Sequence, residues 1–373
     1  MKIKDFGVET WINTYEKDCT YDLTQTCVGT LSVSELIELS GGSEDVLKYV
    51  SELRLGYGEV FGTMRLRNAI AGLYENARDE NISITHGAIG ANALTMLTLL
   101  EPDDKVITLL PIYQQHYSIP ESIGAKVTTL FLKEELGWLP DLEELKRAAT
   151  PDTKLICLNN PNNPTGSVMD EKYLEEIVAI AKSCGAYLLC DEVYRGLSHN
   201  GEPFTKSVFD MYDKAISTGS MSKTFSLPGL RLGWIVGPVD FIEKINQQRN
   251  YHVICIGRID DYLASVALEC KDKIVARNLE ICRENSKVLE DWVRGEKYIE
   301  YVKPKAGTTA FLKIKLDMDS KEFCLRLQKD TGIMLLPGAV LEKEGFVRIG
   351  YCMDQKILTK CLGLISEWLK QLR

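Results

Sequence analysis

Residues 155–191 read LICLNNPNNPTGSVMDEKYLEEIVAIAKSCGAYLLCD, and this stretch decides the fold class. Leu155–Asn159 is an apolar run that ends in asparagine, and Tyr187–Asp191 is a second one that ends in aspartate. Between them, Glu171–Ser183 carries apolar residues at 174, 177, 178 and 181, the stripe of an amphipathic helix, and Gly185 stops it. Two strands joined by a helix form a βαβ unit, whose strands lie parallel in a sheet covered by helices. Working outward, Val106–Leu110, Val127–Leu132, Ala215–Thr218 and Leu232–Val236 read as further strands in the same rhythm. The expectation is an α/β fold in which a mostly parallel central sheet is covered by helices over about residues 90–240. In such sheets ligands sit at the polar ends of the strands.

The flanks differ. Long helical stretches at 262–293 and 355–372 surround strand-like runs such as Thr309–Lys315 and Phe346–Tyr351. Residues 46–250 are therefore expected to form a large domain. Residues 1–45 and 251–373 would then form a smaller α+β domain built from both chain ends. No internal repeat or low-complexity linker separates them.

Composition narrows the function. The 373 residues carry a formal charge of −9, which disfavours nucleic acid, whose phosphates need clustered Lys and Arg. Residues 1–9 lack the apolar core of a signal peptide, and no run approaches the ~20 apolar residues of a membrane span. A cytoplasmic protein is expected. Eleven cysteines without a CxxC pair, several inside apolar runs, read as reduced core thiols. The four histidines show no metal-pair spacing, so no metal is expected.

Three segments carry candidate chemistry. Asn159-Asn160-Pro161-Asn162-Asn163-Pro164-Thr165-Gly166 ends a strand in a braced polar loop, and Asp191-Glu192-Val193-Tyr194 ends the next in a carboxylate. Ser220-Met221-Ser222-Lys223 follows a third strand, with Arg231 eight residues beyond the lysine. A phosphate-binding loop of the nucleotide type is excluded, because Ser222 stands where that motif needs Gly before Lys. Taken singly, each segment is also compatible with a turn or a surface residue.

Together, over about residues 20–370, they resemble the class I/II pyridoxal-phosphate aminotransferases, the family with the aspartate aminotransferase fold. The resemblance implies pyridoxal 5′-phosphate held as an imine on Lys223, which then shuttles a proton at the substrate Cα. It places Asp191 opposite the pyridine nitrogen, where a negative charge favours the protonated ring. Asn163 and Tyr194 match the donors to the ring oxygen, and Tyr113 matches the aromatic that stacks on the ring. Ser220, Ser222 and Arg231 match the phosphate ligands, as do Ala88 and Ile89 of Gly87-Ala88-Ile89-Gly90, whose backbone N–H groups precede an apolar helix at 91–100. Arg348 matches the residue that grips the substrate α-carboxylate as a bidentate pair. Tyr57, followed by Gly62 and Leu66-Arg67, resembles the tyrosine that reaches the phosphate of the neighbouring subunit. A homodimer with shared active sites is thus implied, with small amino acids and 2-oxo acids as substrates.

The pattern departs from the family near the N-terminus. A Gly-containing loop usually closes over the substrate there, whereas Asp22–Val28 brings Thr26 and Cys27. No second arginine can be assigned to a side-chain carboxylate. His116 reads equally as a pocket residue or a structural one. Two other functions stay open: another reaction of the same cofactor (β-elimination, cyclisation or decarboxylation), and a non-catalytic ligand-sensing module, although residues 1–50 carry no basic helix-turn-helix.

Overall fold

The structure, a computed structural model, describes residues 2–42 and 46–372; residue 45, at the expected domain boundary, lies outside them. Its strands are β1 (Tyr21–Asp22), β2 (Ile82–His86), β3 (Lys105–Leu110), β4 (Lys126–Phe131), β5 (Thr153–Asn159), β6 (Tyr187–Asp191), β7 (Ala215–Ser220) and β8 (Leu232–Val236), followed by β9 (Ile299–Tyr301), β10 (Thr309–Ile314), β11 (Ile333–Met334), β12 (Leu336–Pro337) and β13 (Phe346–Gly350). Seven of them form one sheet in the order β2-β8-β7-β6-β5-β3-β4. All run parallel except β8, which is antiparallel to both β2 and β7.

The strands of this sheet form where the sequence lacks polar alternation, because helices cover both faces. β5 and β7 are almost wholly buried. Ile156, Leu158, Leu188 and Cys190 belong to the main hydrophobic core. Leu155, Cys157, Leu189 and Ile216 belong to a second cluster that includes Ala91, Leu94 and Met96. Alternate residues of each strand thus feed two cores on opposite sheet faces. The helix Glu171–Cys184 begins at Asp170, whose side chain accepts from Tyr173 N, and ends at Gly185 with φ +72.

The remaining strands lie outside this layer. β12-β13-β10-β9 is an antiparallel sheet, and β1 pairs in parallel with β11, so an N-terminal segment is zipped to the C-terminal part of the chain.

Three expectations need correction. Residues 82–86, outside the span of about 90–240 expected for the sheet, form one of its edge strands, because β8 turns back and offers them an antiparallel partner. Their helix starts at Gly87 rather than 91, which puts Ala88 and Ile89 in its first turn. In addition, the helical stretch 262–293 is two helices, Arg258–Glu269 and Lys271–Gly295, which meet at Cys270.

Candidate active site

Parallel register gathers the polar strand ends. Asn159 of β5 lies beside Asp191 of β6, and Asp191 beside Thr218 of β7. The polar loop after β5 is tied to this edge. Asn159 Nδ2 donates to Asp191 O at 2.8 Å, and its Oδ1 accepts from Asn163 N at 2.7 Å. Asn162 accepts from the Thr165 hydroxyl at 2.7 Å. Asn163 is thereby fixed with its side chain at the wall of a cavity of about 600 Å³.

Asp191, 5% exposed, also lines that cavity. Its Oδ2 accepts from Asn92 Nδ2 at 2.8 Å, and Thr218 in turn donates to Asn92 Oδ1 at 2.7 Å. His116, fully buried, stands with Nε2 3.7 Å from the same carboxylate oxygen. It is therefore a neighbour of Asp191 and not part of the cavity wall.

Lys223 follows β7 and reaches across the cavity to the N-terminal segment. Its Nζ donates to Thr26 Oγ1 at 2.5 Å and lies 3.6 Å from Cys27 Sγ. Tyr194 is buried nearby. Burial pushes its phenol up, against the opposing pull of the Lys223 and Arg348 charges.

At one end of the cavity stand Ser220, Ser222, Arg231 and the helix Gly87–Leu99. Gly87 has φ +66, and a Cβ there would lie 3.0 Å from Arg231 Nη2, so glycine is what lets the guanidinium rest on the helix start. Gly233 is needed for the same approach, because its Cβ would lie 2.3 Å from the Gly87 carbonyl carbon. Arg231 itself sits in the left-handed region at φ +48, a conformation that costs roughly 1–3 kcal/mol and persists where surroundings dictate it.

Opposite, Arg348 comes from β13, which lies between β12 and β10, so its side chain is only 2% exposed. It donates to Thr24 O at 2.8 Å and to Asn163 Oδ1 at 3.2 Å, while Nε has no partner among the described residues. Burial pulls its pKa below the ordinary arginine value. Tyr113 lines the wall, and its hydroxyl donates to Glu9 Oε1 at 2.7 Å. Burial, with Glu9 adding to it, holds that phenol well above its usual range.

A family model described as aminotransferase class I and II matches residues 44–365. The chain belongs to that family. An aminotransferase from Streptococcus suis, described as PLP-dependent, superimposes with a TM-score of 0.96 at 42% identity, covering 100% of this chain and 99% of that one. Capreomycidine synthase of Streptomyces vinaceus is 28% identical over 361 residues, 96% of this chain and 92% of its own. Aspartate aminotransferase of Thermotoga maritima is 29% identical over 336 residues, 87% and 86% of the two chains.

The cofactor of this aminotransferase family is pyridoxal phosphate, and the donor set fits it. A carboxylate stands ready for a protonated ring nitrogen. Two hydroxyls, a guanidinium and the first N–H groups of a helix, which lack intrahelical acceptors, suit a phosphate. The Asn163 amide nitrogen has no acceptor among the described residues, which leaves a donor for a ring oxygen.

Eleven of the twelve residues singled out from the sequence line this one cavity: Lys223, Asp191, Asn163, Tyr194, Tyr113, Ser220, Ser222, Arg231, Ala88, Ile89 and Arg348. Tyr57 does not. It is 85% exposed, on a separate depression shared with Tyr49, Arg65 and Arg258. Sequence reading missed Asn92 and Glu9. Asn92 lies five residues into the helix that starts at Gly87, one turn beyond Ala88, so helical periodicity carried a signal for it. Glu9 lies in a charge-alternating N-terminal segment that gives no such signal.

Proposed function

We infer that this aminotransferase-family enzyme moves the amino group between a small L-amino acid and a 2-oxo acid. The observation that carries the reading is the convergence of Lys223, Asp191 and Arg348 on one cavity. Bound pyridoxal phosphate supplies an electron sink for the pair left when the substrate Cα–H bond breaks. Asp191, held by Asn92, keeps a proton on the ring nitrogen. Asn163 and Tyr194 donate to the ring oxygen, and Tyr113 covers one ring face. Ser220, Ser222, Arg231 and the N–H groups of Ala88 and Ile89 hold the phosphate. Arg348 grips the α-carboxylate, so that Cα lies within reach of Lys223. Lys223 would hold the cofactor covalently and, once the substrate amine has taken its place there, its freed amine would move the proton to and from Cα, with the Thr26 hydroxyl orienting its nitrogen.

The active unit is a homodimer in which Tyr57 reaches the partner's phosphate. Its support is an exposed apolar surface where two segments meet: Leu55, Tyr57 and Phe61 on one, Tyr251 and Ile254 on the other. The segments are tied by Arg249 Nη1 donating to Val60 O and by Arg258 Nη1 donating to Arg54 O at 2.7 Å. Exposed apolar patches of this kind mark association sites.

A second reading, another reaction of the same cofactor such as cyclisation, is favoured by the similarity along 96% of this chain to a relative named as a synthase, capreomycidine synthase. Product analysis separates the two. Borohydride should fix the cofactor to Lys223, and amino acid turnover should yield a 2-oxo acid. An adduct mapped to another lysine would overturn the central assignment. A cyclic product without 2-oxo acid would replace transamination by the second reading.

A further inference from the structure

Among the described residues, five charged side chains line the cavity: Lys223, Asp191, Arg231, Arg348 and Glu9. The first four have duties in the reading above. Glu9 has none. It lies on the first helix of the chain, α1 (Gly7–Tyr15), which also gives Val8, Ile12 and Asn13 to the cavity wall. Residues 8 and 12, like 9 and 13, are one turn apart, so one face of α1 closes this side of the cavity.

The carboxylate is placed, not loose. The Tyr113 hydroxyl donates to Oε1 at 2.7 Å, and the Tyr113 ring packs against Phe6 of the adjoining segment with centroids 4.7 Å apart. Oε2 accepts no hydrogen bond among the described residues, so half of the carboxylate is left to accept from a bound molecule. Glu9 and Arg348 line the same cavity.

The charges decide the substrate class. Lys223 is committed to the cofactor, Arg231 to its phosphate and Arg348 to the α-carboxylate. Among the described residues of this chain's wall, a second substrate carboxylate would find no uncommitted cation, and it would be repelled by Glu9. A cationic side-chain head would instead meet a charge-assisted acceptor in Glu9 and a neutral carbonyl in Asn13. Val8 and Ile12 would cover the aliphatic stem that carries such a head. We propose that the cavity takes amino acids whose side chain is an aliphatic stem ending in a cationic nitrogen group, with Glu9 as the residue that selects them. The proposal rests on this cavity being the substrate site, and holds whichever reaction follows.

The test is binding to the holoenzyme, followed through the cofactor's absorbance. Arginine and ornithine are the cationic probes, glutamine and norleucine the neutral ones, and glutamate the anionic one. The cationic pair should bind at least about tenfold more tightly than the neutral pair, and glutamate most weakly. Glu9→Gln keeps an acceptor for Tyr113 but removes the charge, and should bring the cationic-to-neutral ratio close to one, with Glu9→Asp recovering part of it. Glutamate binding as tightly as arginine, or a ratio unchanged in Glu9→Gln, overturns the proposal. If Glu9→Gln does not retain cofactor, the wild-type ranking alone decides. Product analysis keeps the two readings apart: a cationic amino acid that binds but yields no 2-oxo acid sinks transamination and leaves the substrate class standing. A 2-oxo acid from glutamate, without cationic binding, does the reverse.

Discussion

Replacing Arg348 by leucine should separate stability from function, because the structure sets the two in opposition at this residue. Arg348 is 2% exposed and, among the described residues, has two hydrogen-bond acceptors, Thr24 O and Asn163 Oδ1, and no carboxylate within salt-bridge distance. Removing it leaves those acceptors without their donor, at roughly 1–3 kcal/mol each if nothing replaces it. It also removes an unpaired buried charge, whose desolvation costs several kcal/mol. The opposing contributions should leave the cofactor-free fold within about 2 kcal/mol of wild type. Substrate binding has no such compensation. Losing one partner of a buried, hydrogen-bonded charge pair costs about 2–5 kcal/mol, or roughly 30-fold to several thousandfold in Kd. Denaturant unfolding of the cofactor-free protein measures the first quantity, and amino acid titration of the holoenzyme measures the second. A loss of stability above about 3 kcal/mol, with Kd changed less than threefold, would show that Arg348 serves the fold and not the substrate.

Asp191→Ala should slow exchange of the substrate α-proton by well over tenfold, and a smaller loss, under about 1.4 kcal/mol of barrier, would remove Asp191 from the ring nitrogen. His199 is held between Pro304 O, Gly307 O and the Tyr351 hydroxyl, and burial lowers its pKa. The folded protein therefore resists protonation at this site, and stability present above the ordinary histidine pKa of about 6.5 is lost as pH falls through it toward the folded value. Melting temperatures from pH 7.5 to 5.5 should fall more steeply for wild type than for His199→Gln, and equal slopes would refute the assignment. Mixed dimers of Lys223→Ala with a crippling Tyr57 variant should regain activity, because one of their two sites would hold both native residues. Confirmed mixed dimers that stay inactive would reject the shared site.

The central sheet was legible because burial on both faces removes ambiguity from a strand. β6 and β8 have the boundaries that their apolar runs predict, since aspartate at 191 and glycine at 237 end those runs abruptly. The edge was not. Residues 82–86 look like any short β-rich run, and only their antiparallel pairing with β8, about 150 residues later, makes them part of the sheet. Periodicity reports local geometry, whereas strand order depends on contacts between distant segments.

The site divides along the same line. Asp191, Asn163, Ser220, Ser222 and Lys223 sit at the ends of neighbouring parallel strands, so a motif in the sequence is already a position in space. Thr26 and Glu9 reach the cavity from segments whose place is set by other packing. The Trp11 indole donates to Leu335 O at 3.1 Å, and Gln114 accepts from Gly7 N at 2.7 Å while donating to Asp5 O at 2.8 Å. β1 and β11 hold the segment that leads to Thr26. Those anchors lie more than 100 residues away in sequence, and none follows from the residues near Glu9 or Thr26 themselves. The cofactor end of the cavity is thus written into strand termini. The N-terminal segment adds another wall of the same cavity, with Glu9 bonded to Tyr113 and Thr26 to Lys223, so its contribution is set by tertiary packing and not by the strand ends.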